Sequence, residues 1–178
     1  GLVGSEMCIR DSSQREEKSH RKERHQTMKA VIQRVKHAEV TVDGACVGKI
    51  GEGYMILVGV QNGDTDADAE LLARKTANLR VFTDENDKMN RSVLDISGEV
   101  LAISQFTLCA DVKKGNRPSF TEAAAPAEAD RLYCLFCDEL LENGVKKVEK
   151  GVFGAHMEVE LLNNGPVTIL YDTEIWRN

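Results

Sequence analysis

No apolar run in this chain approaches the ~18 residues of a membrane-spanning helix; the longest, Tyr54 to Val60, is strand-sized. Hydropathy therefore excludes a helical membrane anchor as the expected role. Surplus positive charge is also missing. Across 178 residues, 29 acids outweigh 23 Lys and Arg, for a formal charge of −6. That argues against bulk phosphate binding, which normally rests on excess cations. A reader of one terminal nucleotide would need only a local basic rim. Lys113, Lys114 and Arg117, or Lys146, Lys147 and Lys150, are candidates, the plainer reading being solvated loop charges. The five cysteines (Cys8, Cys46, Cys109, Cys134, Cys137) are an odd number with no secretory signal ahead of them. Reduced thiols in a cytoplasmic protein are expected.

The familiar catalytic sets are also missing. From Met28 onward there are two histidines, His37 and His156, and no Gly-x-Ser-x-Gly elbow supports Ser104 as a nucleophile. Ser104 and Thr168 remain candidate nucleophiles and His156 a candidate base, but His156 reads more simply as a structural or pocket-wall residue. Cys134 and Cys137 fall inside a helical pattern with no further ligands at zinc spacing, so they read as core cysteines. Asp64, Asp66 and Asp68 lack the glycine and terminal Glu of a calcium loop and read as a charged first helical turn. Gly51-Glu52-Gly53 has the wrong context for a phosphate loop. No metal and no cofactor is expected.

Residues 1–27 read as a disordered or non-native extension. Arg10 to His25 is almost wholly polar, and the opening twelve residues are too short and too poorly apolar for a signal peptide. The expected native start is Met28; a basic targeting arm is the other reading, weakened by nearly balanced charge. Residues 28–178 suit one domain. Ala30–Val35 and Ala38–Val42 are β-rich, Asp43-Gly44 is a hairpin turn, and Val47–Ile50 and Tyr54–Val60 continue the meander. Asp64-Thr65-Asp66 offers a helix N-cap before apolar residues at helical spacing. Arg80–Phe82 returns to strand, and Asp84 to Arg91 is a polar turn region. Val100 to Leu108 reads as one long strand, Ala110 to Phe120 as a loop, and Glu122 to Leu141 as a second helix stopped by Asn143-Gly144. Three strands follow, near 145–149, 156–162 and 166–171. The expected fold is α/β: a single compact domain of mostly antiparallel strands in a barrel-like sheet, with two main helices.

Two segments remain that conventional chemistry does not absorb: Ser104-Gln105-Phe106-Thr107-Leu108 and Asn164-Gly165-Pro166-Val167-Thr168. Each mixes small polar or backbone-exposing residues into a strand pattern. A Gly-Pro bond adopts cis at modest cost and could aim backbone carbonyls one way, although physics alone favours a trans turn. Together the segments closely resemble the paired signatures of the D-aminoacyl-tRNA deacylases, from Met28 to about Tyr171. The resemblance implies that Gly165-Pro166 is cis. It implies a homodimer in which Gly165-Pro166 reaches the partner's active site, excludes L-amino acids and contacts the substrate α-amino group, with Val167 completing this substrate-binding motif. It makes Ser104, Gln105, Phe106 and Thr107 the pocket floor, with main-chain oxyanion donors around Phe106 and Thr107, and Thr168 the residue completing the second motif. Arg34, in Gln33-Arg34-Val35, would support the Gly-Pro loop. Phe153, Gly154, Ala155 and Met157 would hold the terminal adenosine, Phe153 by stacking; read alone, Phe153 is a core residue.

The implied reaction is hydrolysis of the ester of D-aminoacyl-tRNA, with glycine on a non-cognate tRNA also admitted. Substrate orientation, main-chain donors and the tRNA 2′-hydroxyl would carry it. The expected partners are the tRNA 3′ end and a second copy of the chain. A non-catalytic nucleic-acid module, DNA-associated, is the alternative from another class. A small esterase using Ser104 and His156 is the third.

Overall fold

The computed structural model describes residues 27–177. The expectation for the amino-terminal extension therefore falls, Thr27 apart, outside the described residues. The elements in chain order are β1 (Lys29–Val42), β2 (Ala45–Ile50), β3 (Gly53–Gly59), α1 (Asp66–Ala77), β4 (Phe82–Thr83), β5 (Met89–Arg91), β6 (Glu99–Ser104), α2 (Pro126–Glu142), β7 (Lys147–Lys150) and β8 (Glu158–Asp172), with 3-10 turns at Phe106–Cys109 and Thr173–Trp176. Among the described residues no helix is long and apolar enough to cross a membrane.

β1 organises the sheet. β8 runs antiparallel along one edge of β1 for its whole length. On the other edge β3 pairs with the first half of β1 and β2 with the second. β6 and β7 add in parallel beyond β3. The sheet then curls back: Lys147 Nζ, on β7, donates to Lys49 O, on β2, at 2.9 Å. This is the nearly closed, barrel-like sheet that the sequence pattern suggested. Asp43 and Gly44 both hold positive φ (49° and 78°), the two-residue turn that matches strand twist.

Alternation along the strands feeds two cores. Met55, Leu101 and Ile103 point inside the curl with Val35, Ala38, Val40 and Ile50. Tyr54, Ile56, Val58, Val100 and Ala102 point outward, where the helices cover them. α2 contributes Ala129, Leu132, Tyr133, Phe136, Cys137 and Leu140, a stripe of helical period. Cys137 is thus a core cysteine, its thiol pushed up to about 12 by burial.

Three boundaries differ from the sequence expectation, and the end of the expected turn region Asp84 to Arg91 is a short strand, β5, paired with β4. The strand expected over Val100–Leu108 stops at Ser104, and Phe106–Cys109 turns into a 3-10 helix. The opposing strand leaves room for that turn at Gly59, where a Cβ would lie 2.9 Å from Leu108 Cβ. The second helix begins at Pro126, four residues after Glu122, because Pro fits the first helical turn, where its missing N–H is not needed. The last two expected strands are one strand, β8, interrupted by an excursion described below.

A small polar clamp gathers the chain where β1 begins. Thr27 N donates to Gln61 Oε1 (3.0 Å), Gln61 N to Asp64 Oδ2 (2.6 Å) and Met28 N to Thr173 Oγ1 (3.1 Å). Asp64 Oδ1 is buried with no hydrogen-bond partner among the described residues. Burial, against the opposing Gln61 N–H, pushes the Asp64 carboxyl up to about 7. Between pH 4 and 7, roughly the ordinary and shifted values, the folded chain keeps a proton that the unfolded chain has released, so this group's contribution to stability falls as pH rises. Asp64→Asn is expected to flatten that loss. Denaturant midpoints should show the variant gaining on the parent between about pH 4 and pH 7, the edges of that window; parallel pH curves would refute it.

Candidate active site

The described residues enclose a cavity of about 710 Å³. Its floor is the end of two paired strands, Leu57 on β3 and Ile103 and Ser104 on β6. Gln105 N donates to Val58 O at 2.7 Å, which pins the chain as it leaves β6. The 3-10 turn then lifts Phe106 to the lip, half in solvent, where its ring meets Phe120 edge-on at 5.0 Å. Gln105 Nε2 donates to Thr107 Oγ1 across the start of the turn. In a turn of this kind the first amides, here Phe106 and Thr107, have no acceptor inside the turn itself.

Phe153 to Met157 form the facing wall. Gly151 N donates to Ala102 O (3.2 Å), so the chain stays against β6 for one residue after β7 before it turns. Tyr133 Oη donates to the same carbonyl at 2.7 Å and fixes α2 there. The turn closes with Ala155 N on Val152 O (3.1 Å) and Gly154 at φ 75°. Met157 drops its side chain toward the inner core. Ala125, Pro126 and Ala129, at the start of α2, complete the enclosure. No Asp, Glu, Lys or Arg lines this space, and His156 is the one histidine in its wall. Three phenylalanines and neutral walls suit a flat uncharged heterocycle.

A second group lies elsewhere. Between the pairs Gln33–Thr168 and Val35–Asn163, β1 passes only Arg34, while β8 passes Asn164, Gly165, Pro166 and Val167. Four residues thus loop out opposite one. The Arg34 guanidinium fills the base of the loop: Nε donates to Asn164 O (2.8 Å) and Nη1 to Val81 O (2.6 Å). The Gly165–Pro166 peptide is cis, and Gly165 holds φ 134°. Gly165 and Pro166 are exposed at its tip. Thr168, also exposed, accepts a long hydrogen bond from Gln33 Nε2 (3.5 Å).

Of the residues singled out from sequence, Ser104, Gln105, Phe106, Phe153, Gly154, Ala155 and Met157 line the cavity together. Thr107, exposed on the same turn, is not among the lining residues. Arg34, Gly165, Pro166, Val167 and Thr168 do not line the cavity of their own chain. Phe120 and the start of α2 went unread, although an aromatic closing a basic loop was a usable signal.

The D-Tyr-tRNA(Tyr) deacylase family model matches residues 31–172. The chain belongs to this family. As a D-Tyr-tRNA(Tyr) deacylase family member it is 58% identical over 145 residues to the D-aminoacyl-tRNA deacylase of Ruegeria pomeroyi, covering 82% of this chain and 99% of that protein. A solved structure titled c-Myc DNA Unwinding Element Binding Protein superposes with a TM-score of 0.76 at 43% identity, over 80% of this chain and 97% of the other. A probable eukaryotic D-amino acid tRNA deacylase shares the deacylase fold at a TM-score of 0.71 and 19% identity, over 82% and 99% of the two chains.

Proposed function

We propose that this chain hydrolyses the ester between a D-aminoacyl group and the terminal ribose of tRNA, in the cytoplasm, as a chiral proofreader of translation. The observation that carries the reading is the uncharged, phenylalanine-walled cavity ending at the Ser104–Thr107 lip, in a member of a deacylase family. The terminal adenosine enters between Phe153 and the lip, held by Gly154, Ala155 and Met157. The ester carbonyl meets the free amides of Phe106 and Thr107, which stabilise charge as it develops. An aminoacyl ester is already activated, so donors, orientation and the tRNA 2′-hydroxyl suffice without a side-chain nucleophile.

The exposed Gly165-Pro166 tip fits a homodimer, since it does not line the phenylalanine-walled cavity of its own chain. In that assembly the tip of one copy enters the cavity of the other, meets the α-amino group with its carbonyls and leaves no space for an L side chain. Glycine, with no side chain to reject, is also accepted from a non-cognate tRNA.

Deacylation of D-tyrosyl-tRNA and L-tyrosyl-tRNA, side by side, tests this. Release from the D ester alone is expected; equal release from both would end the chiral reading. Among the described residues the side chain of Thr168 meets Gln33 and no acid or base. Thr168→Ala should therefore keep kcat/KM within about threefold, whereas loss of a true nucleophile costs orders of magnitude. Collapse of activity in a folded variant would restore Thr168 as nucleophile. Ser104 and His156 share the cavity wall without a hydrogen bond between them, and resistance to serine-directed inhibitors is expected for the same reason.

The similarity to a protein titled as DNA-binding favours a second reading, a non-catalytic duplex-DNA module. The net charge of −6 weighs against it. Steeply salt-dependent duplex binding without deacylation would support it.

A further inference from the structure

The cavity presents a chemical problem that the loop beside it resolves. Its walls carry no cation. A strand of RNA whose terminal nucleoside occupies it must bring phosphodiesters to the rim, one per nucleotide, with nothing inside to neutralise them. The chain as a whole, at −6, repels such a strand. Some local group has to reverse that sign where the strand enters.

Residues 112–118 lie at that entrance. The loop is pinched at its base by a reciprocal pair of bonds between Asp111 and Ser119, at 2.8 and 2.9 Å. Phe120, the next residue, is part of the cavity wall and packs on Phe106 at the lip. Every residue from Val112 to Thr121 is exposed. Lys113, Lys114 and Arg117 fall within it, with no acid between Asp111 and Glu122. Asp111 itself is engaged at the base, Oδ1 accepting from Lys113 N at 2.9 Å. None of the three cations forms an ion pair among the described residues, whereas Lys147 of the other basic cluster is tied to Glu99, Glu149 and Lys49 O. A free, fully solvated cation is the form that gains most from meeting a phosphate, because no existing pair has to be broken.

We propose that Lys113, Lys114 and Arg117 form a phosphate clamp that holds the RNA strand as it enters the cavity, and so supply the affinity for tRNA that the cavity cannot. This rests on the deacylase reading for the identity of the strand. The clamp touches backbone and not bases, so it adds affinity without sequence preference. It lies outside the reacting atoms, so it acts on binding and not on the chemical step.

The test compares two substrates with one variant of the full chain, Lys113→Ala/Lys114→Ala/Arg117→Ala. One substrate is D-tyrosyl-tRNA. The other is the D-tyrosyl ester of adenosine, which has no phosphate. With the clamp removed, KM for the tRNA is expected to rise about tenfold to a hundredfold at about 0.1 M salt, and the slope of log affinity against log salt to flatten by about 2. Hydrolysis of the adenosine ester should not change. Equal slowing on both substrates would overturn the clamp and show that the loop shapes the cavity. No change on either would overturn it as well. Binding of uncharged tRNA as a function of salt is measured in parallel, so the clamp is judged even if neither ester is cleaved. Inactivity of the parent chain on both D esters, by contrast, would strike the deacylase reading.

Discussion

Gly165→Ala is expected to remove nearly all deacylation of D-tyrosyl-tRNA, a fall of about a hundredfold in kcat/KM, the cost of misplacing a reactive contact by about an ångström. The added Cβ would stand 2.9 Å from Arg34 Nη2 and 3.1 Å from Val167 N, at a φ of +134° that L side chains rarely adopt. The guanidinium cannot step aside freely, since it already serves Asn164 O and Val81 O. The loop must move instead, and the tip with it. Global stability should change little, because the tip is solvent-exposed. Arg34→Ala separates clash from backbone strain. It removes the near neighbour, so Gly165→Ala should cost less in that background than in the parent, a coupling read from a double-mutant cycle. A rate unchanged by Gly165→Ala would mean that the tip never meets the substrate.

Gly59→Ala should be nearly as damaging from the opposite side of the site. A Cβ there would lie 2.9 Å from Leu108 Cβ, 3.2 Å from Gln105 O and 3.3 Å from Cys109 Sγ. The 3-10 turn rests directly on this glycine, and the turn carries the lip. Overpacking of this kind costs about 1–3 kcal/mol and shifts backbone. The expected signature is a modest loss in thermal midpoint with a disproportionate fall in kcat, by about tenfold or more, as the Phe106 and Thr107 amides leave their positions. Full activity with a lowered midpoint would show that those amides are not the oxyanion donors.

These glycines also explain which parts of the fold were readable. The Asp43-Gly44 hairpin and the start of α1 near Thr65 are decided by residues within a few positions of the event; Thr65 N donates to Asp68 Oδ2 at 2.8 Å, one turn on. Such local chemistry shows in a linear pattern. The end of β6 is decided by Gly59, some 45 residues earlier, and Val100–Leu108 therefore looked like a single strand. β8 looked like two strands because Asn164-Gly165-Pro166 has turn composition, while its two halves pair with the same edge of β1. Within the site, Phe153 to Met157 and Ser104 to Phe106 were found through motif resemblance. The α2 wall was not, since Ala123 and its neighbours reach the cavity only through the bridge between Gln61 and Ala123.

The way β1 changes allegiance has a consequence for length variation. Ala30 and Ile32 serve the outer core, and Ala38 and Val40 the inner one, although all four hold even positions. The switch is made at Lys36 and His37, two consecutive exposed residues, where β1 advances two positions against one of β8. Val35 and Ala38, three positions apart, both face the inner core, so one of the two residues between them is surplus to the ladder. Deleting either would leave Val35, Ala38 and Val40 at regular two-residue spacing on their present face. Deleting Glu39 would instead turn Val40 outward and Thr41 inward, since one step of register exchanges the faces of a strand. Insertions and deletions that survive selection should therefore collect at this point and in segments such as 84–88, whose hydrogen bonds are mostly their own, and avoid the regular runs of β1 on either side.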